Sequence, residues 1–182
     1  MNAIGEVLSA NIKSFVAEAW RDKERDATSP EFGSFLKSYS EESKLTIYGV
    51  VYDILTGPKD QHHKPIALQM TRAELKREQP QIFSLLRTEW HVVCVAYSQA
   101  DRRIRTGVPP SPPEVHDFVY QPAEDEVIAV SDNLDYLRLV CAAQGGLQDE
   151  LVAASIRSAA RARHEEYHYL VEAGQHLSKL FR

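Results

Sequence analysis

The sequence lacks most of the residues from which recognisable enzyme sites are built. It holds two cysteines in 182 residues, Cys94 and Cys141, and neither has companions at metal-ligand spacing. The first lies in an apolar run with strand character, the second on a stretch with helical spacing. Both read as buried, reduced thiols of a cytoplasmic protein rather than as a disulfide. The eight glycines form no GxxxxGK[ST], which excludes a P-loop nucleotidase in this chain, and no GxGxxG. GxSxG and CxxC are missing too. No cofactor is expected.

Long apolar runs are also missing. None approaches the ~20 residues needed to cross a membrane, so no membrane span is expected. The opening MNAIGEVLSA carries Glu6 and no basic start, which does not read as a signal peptide. Nor is there a basic excess. The net charge is -5 and the pI about 5.8, which argues against a dedicated nucleic-acid binder. From Leu134 to Arg182 acids and bases balance, so the whole deficit lies upstream.

What is present is an ordinary apolar fraction of 43%, enough for one core domain with an appendage. Its centre is Leu45 to Thr56, LTIYGVVYDILT, rich in β-branched and aromatic residues. A two-residue period puts Thr46, Tyr48, Val50, Tyr52 and Ile54 on one face and Leu45, Ile47, Gly49, Val51 and Asp53 on the other. Both faces are apolar in the middle and require cover. Gly49 marks a place for a bend or bulge. Trp90 to Ser98, WHVVCVAYS, has the same doubly apolar character. Ala3 to Ser9 and Ile12 to Trp20 read as a hairpin turning at Ala10-Asn11, where Asn suits a positive φ. The second of these strands has no fully wet side.

Arg21 to Glu31 is a charged, solvated connection, and Phe32 to Tyr39 a third strand. Gly57 to Pro65 is a loop. Its His62-His63 pair has no third ligand at suitable spacing, so no metal is expected there. Thr71-Arg72-Ala73-Glu74 is a capping box opening a helix, followed by a short second helix at Pro80. Gly107 to Val115, GVPPSPPEV, is a stiff proline-rich strap that formally contains PxxP. Phe118 to Tyr120 and Glu126 to Val130 read as short closing strands. Helical spacing takes over after Ser131, with Leu134, Leu137 and Cys141 on one face and Gly145-Gly146 as the stop. Two more amphipathic helices follow, from about Asp149 and through Tyr167, Leu170, Gly174, Leu177 and Phe181.

His164-Glu165-Glu166-Tyr167-His168 spells HExxH, the pattern in which one helix face offers two imidazoles to zinc and a glutamate to its water. Three features argue against a zinc site. Glu166 puts a charge where metalloproteases carry none, Glu172 is the sole later acid, and the preceding RSAARAR is a solvated face. Zinc-dependent hydrolysis through His164, Glu165 and His168 is therefore the least favoured reading, and no metal or catalytic residue is assigned. Arg157, Arg161 and Arg163 form a basic strip that could meet phosphates, but Glu165 and Glu166 follow at once, as on a salt-bridged surface.

IGEVLSANIKSFVAEAW, FGSFLKSY and IYGVVYDILTG together resemble the HAS barrel, the small β-barrel preceding the nucleotide-binding domain in HerA-type DNA-translocating ATPases and ATP synthase catalytic subunits. RIRTGVPPSPPEVHDFVYQPAEDEV is similar to the segment that closes such barrels. The chain looks like stand-alone HAS-barrel proteins, of uncharacterised role, from cyanobacteria. The resemblance covers residues 3 to 130. It implies joining subunits into assemblies and not the ATPase activity, since about fifty residues of helix stand where the nucleotide-binding domain would.

The expected fold is α+β: a small closed β-barrel over 1–130, a helical insertion over about 71–89, and a helical region over 131–182. The expected function is a non-enzymatic interaction and assembly module, binding itself or a larger, ATPase-type complex. The interaction candidates are Tyr48, Tyr52, Arg157, Arg161, Tyr167, Leu170, Leu177 and Phe181. An accessory role in nucleic-acid processing, with the arginine strip as contact, is the alternative.

Overall fold

The long strand predicted at the centre of the sequence runs as β4, Thr46–Pro58, through the centre of the sheet in a computed structural model of the chain. The structure describes residues 2–20, 29–60, 65–143, 147–164 and 166–180, without the side chains of 178–180. Around β4 stand β1 (Gly5–Ala10), β2 (Ser14–Ala19), β3 (Phe35–Tyr39), β5 (Leu86–Ser98) and β7 (Phe118–Tyr120). Neighbours run in the order β2-β1-β7-β3-β4-β5, all antiparallel, and β5 pairs back onto β2. The sheet is thus a closed six-stranded barrel. A two-residue strand, β6 (Arg105–Thr106), adds to the outside of β5.

The barrel is filled by Val7, Phe15, Ala17, Leu36, Ile47, Val51, Trp90, Val92, Cys94 and Val119. Alternation along β4 and β5 delivers these residues, but it is interrupted twice. Tyr48 pairs with Ala96 and Gly49 with Cys94, so Val95 is an extra residue on β5. Val51 pairs with Val92 and Asp53 with His91, so Tyr52 is an extra residue on β4. Each bulge reverses the parity beyond it. Ala96 therefore packs outside with Val93 and Val95, while Ile54 and Tyr97 pack against the interior. Gly49 lies beside the first bulge. A Cβ there would stand 2.4 Å from Val92 Cγ1 and 2.6 Å from the Val93 carbonyl oxygen, so only glycine lets these strands approach.

The hairpin turn between β1 and β2 works differently from its expectation. The Asn11 side chain accepts from the amides of Lys13 (2.8 Å) and Ser14 (3.2 Å), and its φ is not positive.

Six helices accompany the barrel among the described residues. The insertion holds α1 (Arg72–Glu78) and α2 (Gln81–Ser84), with the capping box formed as the sequence predicts. Thr71 Oγ1 accepts from the Glu74 amide at 3.2 Å, and Glu74 Oε2 accepts from the Thr71 amide at 2.7 Å. Neither helix buries a residue.

The other four are α3 (Glu124–Ser131), α4 (Tyr136–Cys141), α5 (Gln148–Arg161) and α6 (Glu166–Leu180). The expected closing strand at Glu126 to Val130 is thus the body of α3. Three acids in its first turn suit the positive end of a helix, and Val127, Val130 and Ser131 recur at a helical interval that buries them. The chain then breaks at Leu134, where φ is 58°, so the single helix expected after Ser131 becomes the end of α3 followed by α4. The helical region accordingly begins at Glu124, inside the span assigned to the barrel.

These helices form a second core against the outside of β3, β4 and β5. Phe35, Tyr48, Val50, Val93 and Val95 from the strands meet Tyr136, Leu137, Val140, Val152, Ile156 and Tyr169. Phe35 and Tyr136 pack at 5.6 Å between ring centroids. Small residues on α5 allow close approach. Gly33, at φ 82°, receives Ala154 so tightly that a Cβ would lie 2.5 Å from the alanine's own. The doubly apolar strands therefore obtain their cover from the chain itself.

Candidate functional site

The seven interaction candidates that lie among the described residues do not converge on one surface. Tyr48 is buried beneath α3, and Tyr52 is half-buried at the bulge, its ring edge-on to His91 at 5.9 Å. Leu177 packs against the helix-side core. Arg157 and Arg161 are exposed on α5, where Arg161 lies 3.7 Å from Glu31. Arg163 turns inward, donating to the carbonyls of Ala159 (2.7 Å) and Ile128 (3.2 Å), with its guanidinium 3.9 Å from the centre of the Tyr169 ring. The arginine strip is thus two exposed residues and one that ties α5 to α3. Tyr167, at 80% exposure, and Leu170 face outward from α6, and Phe181 lies outside the described residues.

The HExxH residues do not share a helix. α6 starts at Glu166, so His168 is helical and His164 precedes the first turn, while Glu165 lies outside the described residues. His164, Glu166, Tyr167, His168 and Leu170 border an open depression. Among the described residues no three His, Cys, Asp or Glu side chains are grouped to hold a metal ion. His62 and His63 lie outside those residues. No helix among them is long and apolar enough to cross a membrane.

Two other places gather polar and aromatic side chains. The first is a polar knot between barrel and α3. Glu126 accepts from Lys37 Nζ at 2.6 Å on each oxygen, from Tyr48 Oη at 3.0 Å and from the Ala123 amide at 2.8 Å. Burial on its own would raise the Glu126 pKa, but the Lys37 ammonium and the other donors outweigh it and hold the carboxyl below its usual value. Burial, and then the Glu126 charge, raises the Tyr48 hydroxyl. Beyond the knot opens a cleft of about 740 Å³, bordered by Lys44, Ser98, Arg102, Ile104 and Asp125 as well as Tyr48 and Glu126.

The second is the barrel face away from the helices, formed by β2, β1 and β7. Trp20 and Phe118 meet there edge to face, with centroids 5.1 Å apart and ring planes at 75°. They remain 45% and 46% exposed. Glu6 pairs across the strands with Phe118 and is hydrogen-bonded to His116 Nδ1. Leu8 and Val115 are exposed nearby, where the His116 amide donates to the Val7 carbonyl. Sequence reasoning missed this pair. Its signal was the second strand of the hairpin, which had no fully wet side although the barrel leaves one side of it uncovered.

Compared with known proteins, the chain matches no family model, and no curated protein matches it.

Proposed function

We propose that this chain is a non-enzymatic assembly module of the HAS-barrel type, joining copies of itself or docking onto a larger, ATPase-type complex. The supporting observation is the unequal treatment of the barrel's outer surface. The β3–β4–β5 side is covered by the chain's own helices, whereas the β2–β1–β7 side leaves the edge-to-face pair Trp20 and Phe118 nearly half exposed. Large aromatics at a rim of charged, already paired side chains are the residues on which interfaces concentrate their energy. The contact surface is therefore moved from Tyr48 and Tyr52 to Trp20, Phe118 and Leu8. In this reading the helices stiffen the barrel, and the uncovered strands carry the contact.

Sedimentation velocity across a dilution series tests the self-association arm. The expected result is a concentration-dependent species larger than one chain that disappears in Trp20→Ser/Phe118→Ser, with an unchanged circular dichroism spectrum. For the second arm, wild type and variant are compared as baits in native extract. A monomer at every dilution whose captured partners do not depend on Trp20 and Phe118 overturns the proposal.

A further inference from the structure

The cleft beside α3 is bordered by two cations whose backbone is held in a conformation that long side chains disfavour. Lys44 lies in the turn between β3 and β4 at φ 54°, and Arg102 in the turn between β5 and β6 at φ 57°. Both angles belong to the left-handed region, which glycine adopts freely and a residue with a Cβ only at a cost. Cross-strand pairing of Thr46 with Ser98 brings the two turns side by side, so the cations come from separate segments to one place. Among the described residues neither cation has an acid within ion-pair distance.

The opposite wall is α3, with Asp125 and Glu126. Glu126 is neutralised by Lys37, whose ammonium sits on both of its oxygens. The remaining balance is two cations against Asp125, a net positive cleft. Tyr39, Tyr48, Thr46, Ser98 and Gln99 add uncharged polar groups to the lining, and Ile104 and three alanines its apolar part. A volume of about 740 Å³ is more than a bare ion fills and lies in the range of small-molecule sites.

We infer that this cleft binds a small organic molecule through an oxyanion, a phosphate or a carboxylate, gripped by Lys44 and Arg102. The molecule's own donors, hydroxyl or amino, face Asp125. The side chains, both exposed, supply charge-assisted hydrogen bonds of the strong kind, and the two turns set their Cα atoms at the cleft edge. This inference is independent of the assembly role, because the cleft lies at α3 and the uncovered aromatics are Trp20, just after β2, and Phe118 on β7.

The test is a heteronuclear NMR titration of the full chain at low ionic strength with three probes: inorganic phosphate, adenosine monophosphate and glutamate. Saturable shifts are expected at the Lys44, Ser98 and Arg102 amides, with one organic probe binding more tightly than inorganic phosphate. Which of the two does so tells phosphate from carboxylate. Lys44→Gly and Arg102→Gly relieve the left-handed backbone, so each variant keeps or raises its melting temperature while its affinity falls about tenfold. Asp125→Asn weakens the organic probe and not inorganic phosphate. The inference is overturned if no probe moves those amides saturably, if inorganic phosphate binds best, or if the glycine variants bind as the wild type does.

Discussion

Lys37 on β3 and Glu126 on α3 form an ion pair in which the ammonium lies 2.6 Å from each carboxylate oxygen. Their side chains are only 11% and 20% exposed. This pair, with the Tyr48 hydroxyl bonded to the same carboxylate, fixes the first helix of the cover onto the barrel.

Breaking a fully buried pair by removing one partner costs about 3–5 kcal/mol. With a fifth of the Glu126 side chain still reached by water, Lys37→Met should cost about 2–3 kcal/mol in urea denaturation. The pair also sets a pH dependence. A carboxyl held below its ordinary value contributes stability that is complete above that value, about 4.5, and is lost as pH falls through the lower folded value. Glu126→Gln should therefore be destabilised most near neutrality, with the difference from wild type shrinking below about pH 4. A difference that stayed constant down to the acid transition would contradict this account.

Gly33→Ala should loosen α5. The left-handed φ of 82° costs an alanine about 1–2 kcal/mol. The new methyl would also meet the Ala154 side chain and carbonyl carbon, an overpacking of about 1–3 kcal/mol. Hydrogen exchange should quicken in α5 and β3 before β1 and β2, because the contact broken joins helix to barrel. Uniform loss of protection would mean that the two cores unfold as one.

Cys94 should be silent to thiol reagents. It is buried in the barrel interior, and burial pushes its pKa up to about 12, so almost no thiolate exists near pH 8. Cys141 is half-buried, though burial and then Asp149 raise it as well. Mass spectrometry after iodoacetamide should find Cys141 modified first, and Cys94 only at the rate of unfolding.

Thr71→Ala removes the hydroxyl that caps α1. Because α1 buries nothing, the expected effect is local: amides of residues 72–78 lose exchange protection while the melting temperature stays the same. A lowered melting temperature would show the insertion to be coupled to the barrel core.

Much of the barrel was legible because strands apolar on both faces leave few alternatives. Glycines at points of close approach and β-branched runs at regular spacing located β1 to β5. Gly49 pointed to a bend or bulge, and one lies beside it. That its extra residue is Val95 on the partner strand, and that a second bulge falls at Tyr52, was not legible, since a bulge depends on how two strands register and not on either alone. The Glu126 to Val130 segment misled for a related reason. Its β-branched residues favour a strand locally, but burial against the barrel and the acidic first turn favour α3. The origin of the cover was the larger omission. Period and apolarity showed that the strands needed shielding, without showing that α3 to α6 would supply it, so Tyr48 was expected at an interface and is found inside the fold. Trp20 and Phe118, far apart in the chain, become neighbours only because β1 lies between β2 and β7.

β4 and β5 run on as a two-stranded stalk after the barrel has closed, and no described residue from Asp53 to Thr88 is buried. Lys59, just past the end of β4, reaches Glu18 on β2 at 3.6 Å, and the described residues beyond it bury nothing in the core beneath. Pro58 to Leu86 could be exchanged for a tight loop, or for a fluorescent or affinity domain, and the cylinder below would still assemble, which makes this tip the natural point for grafting a reporter.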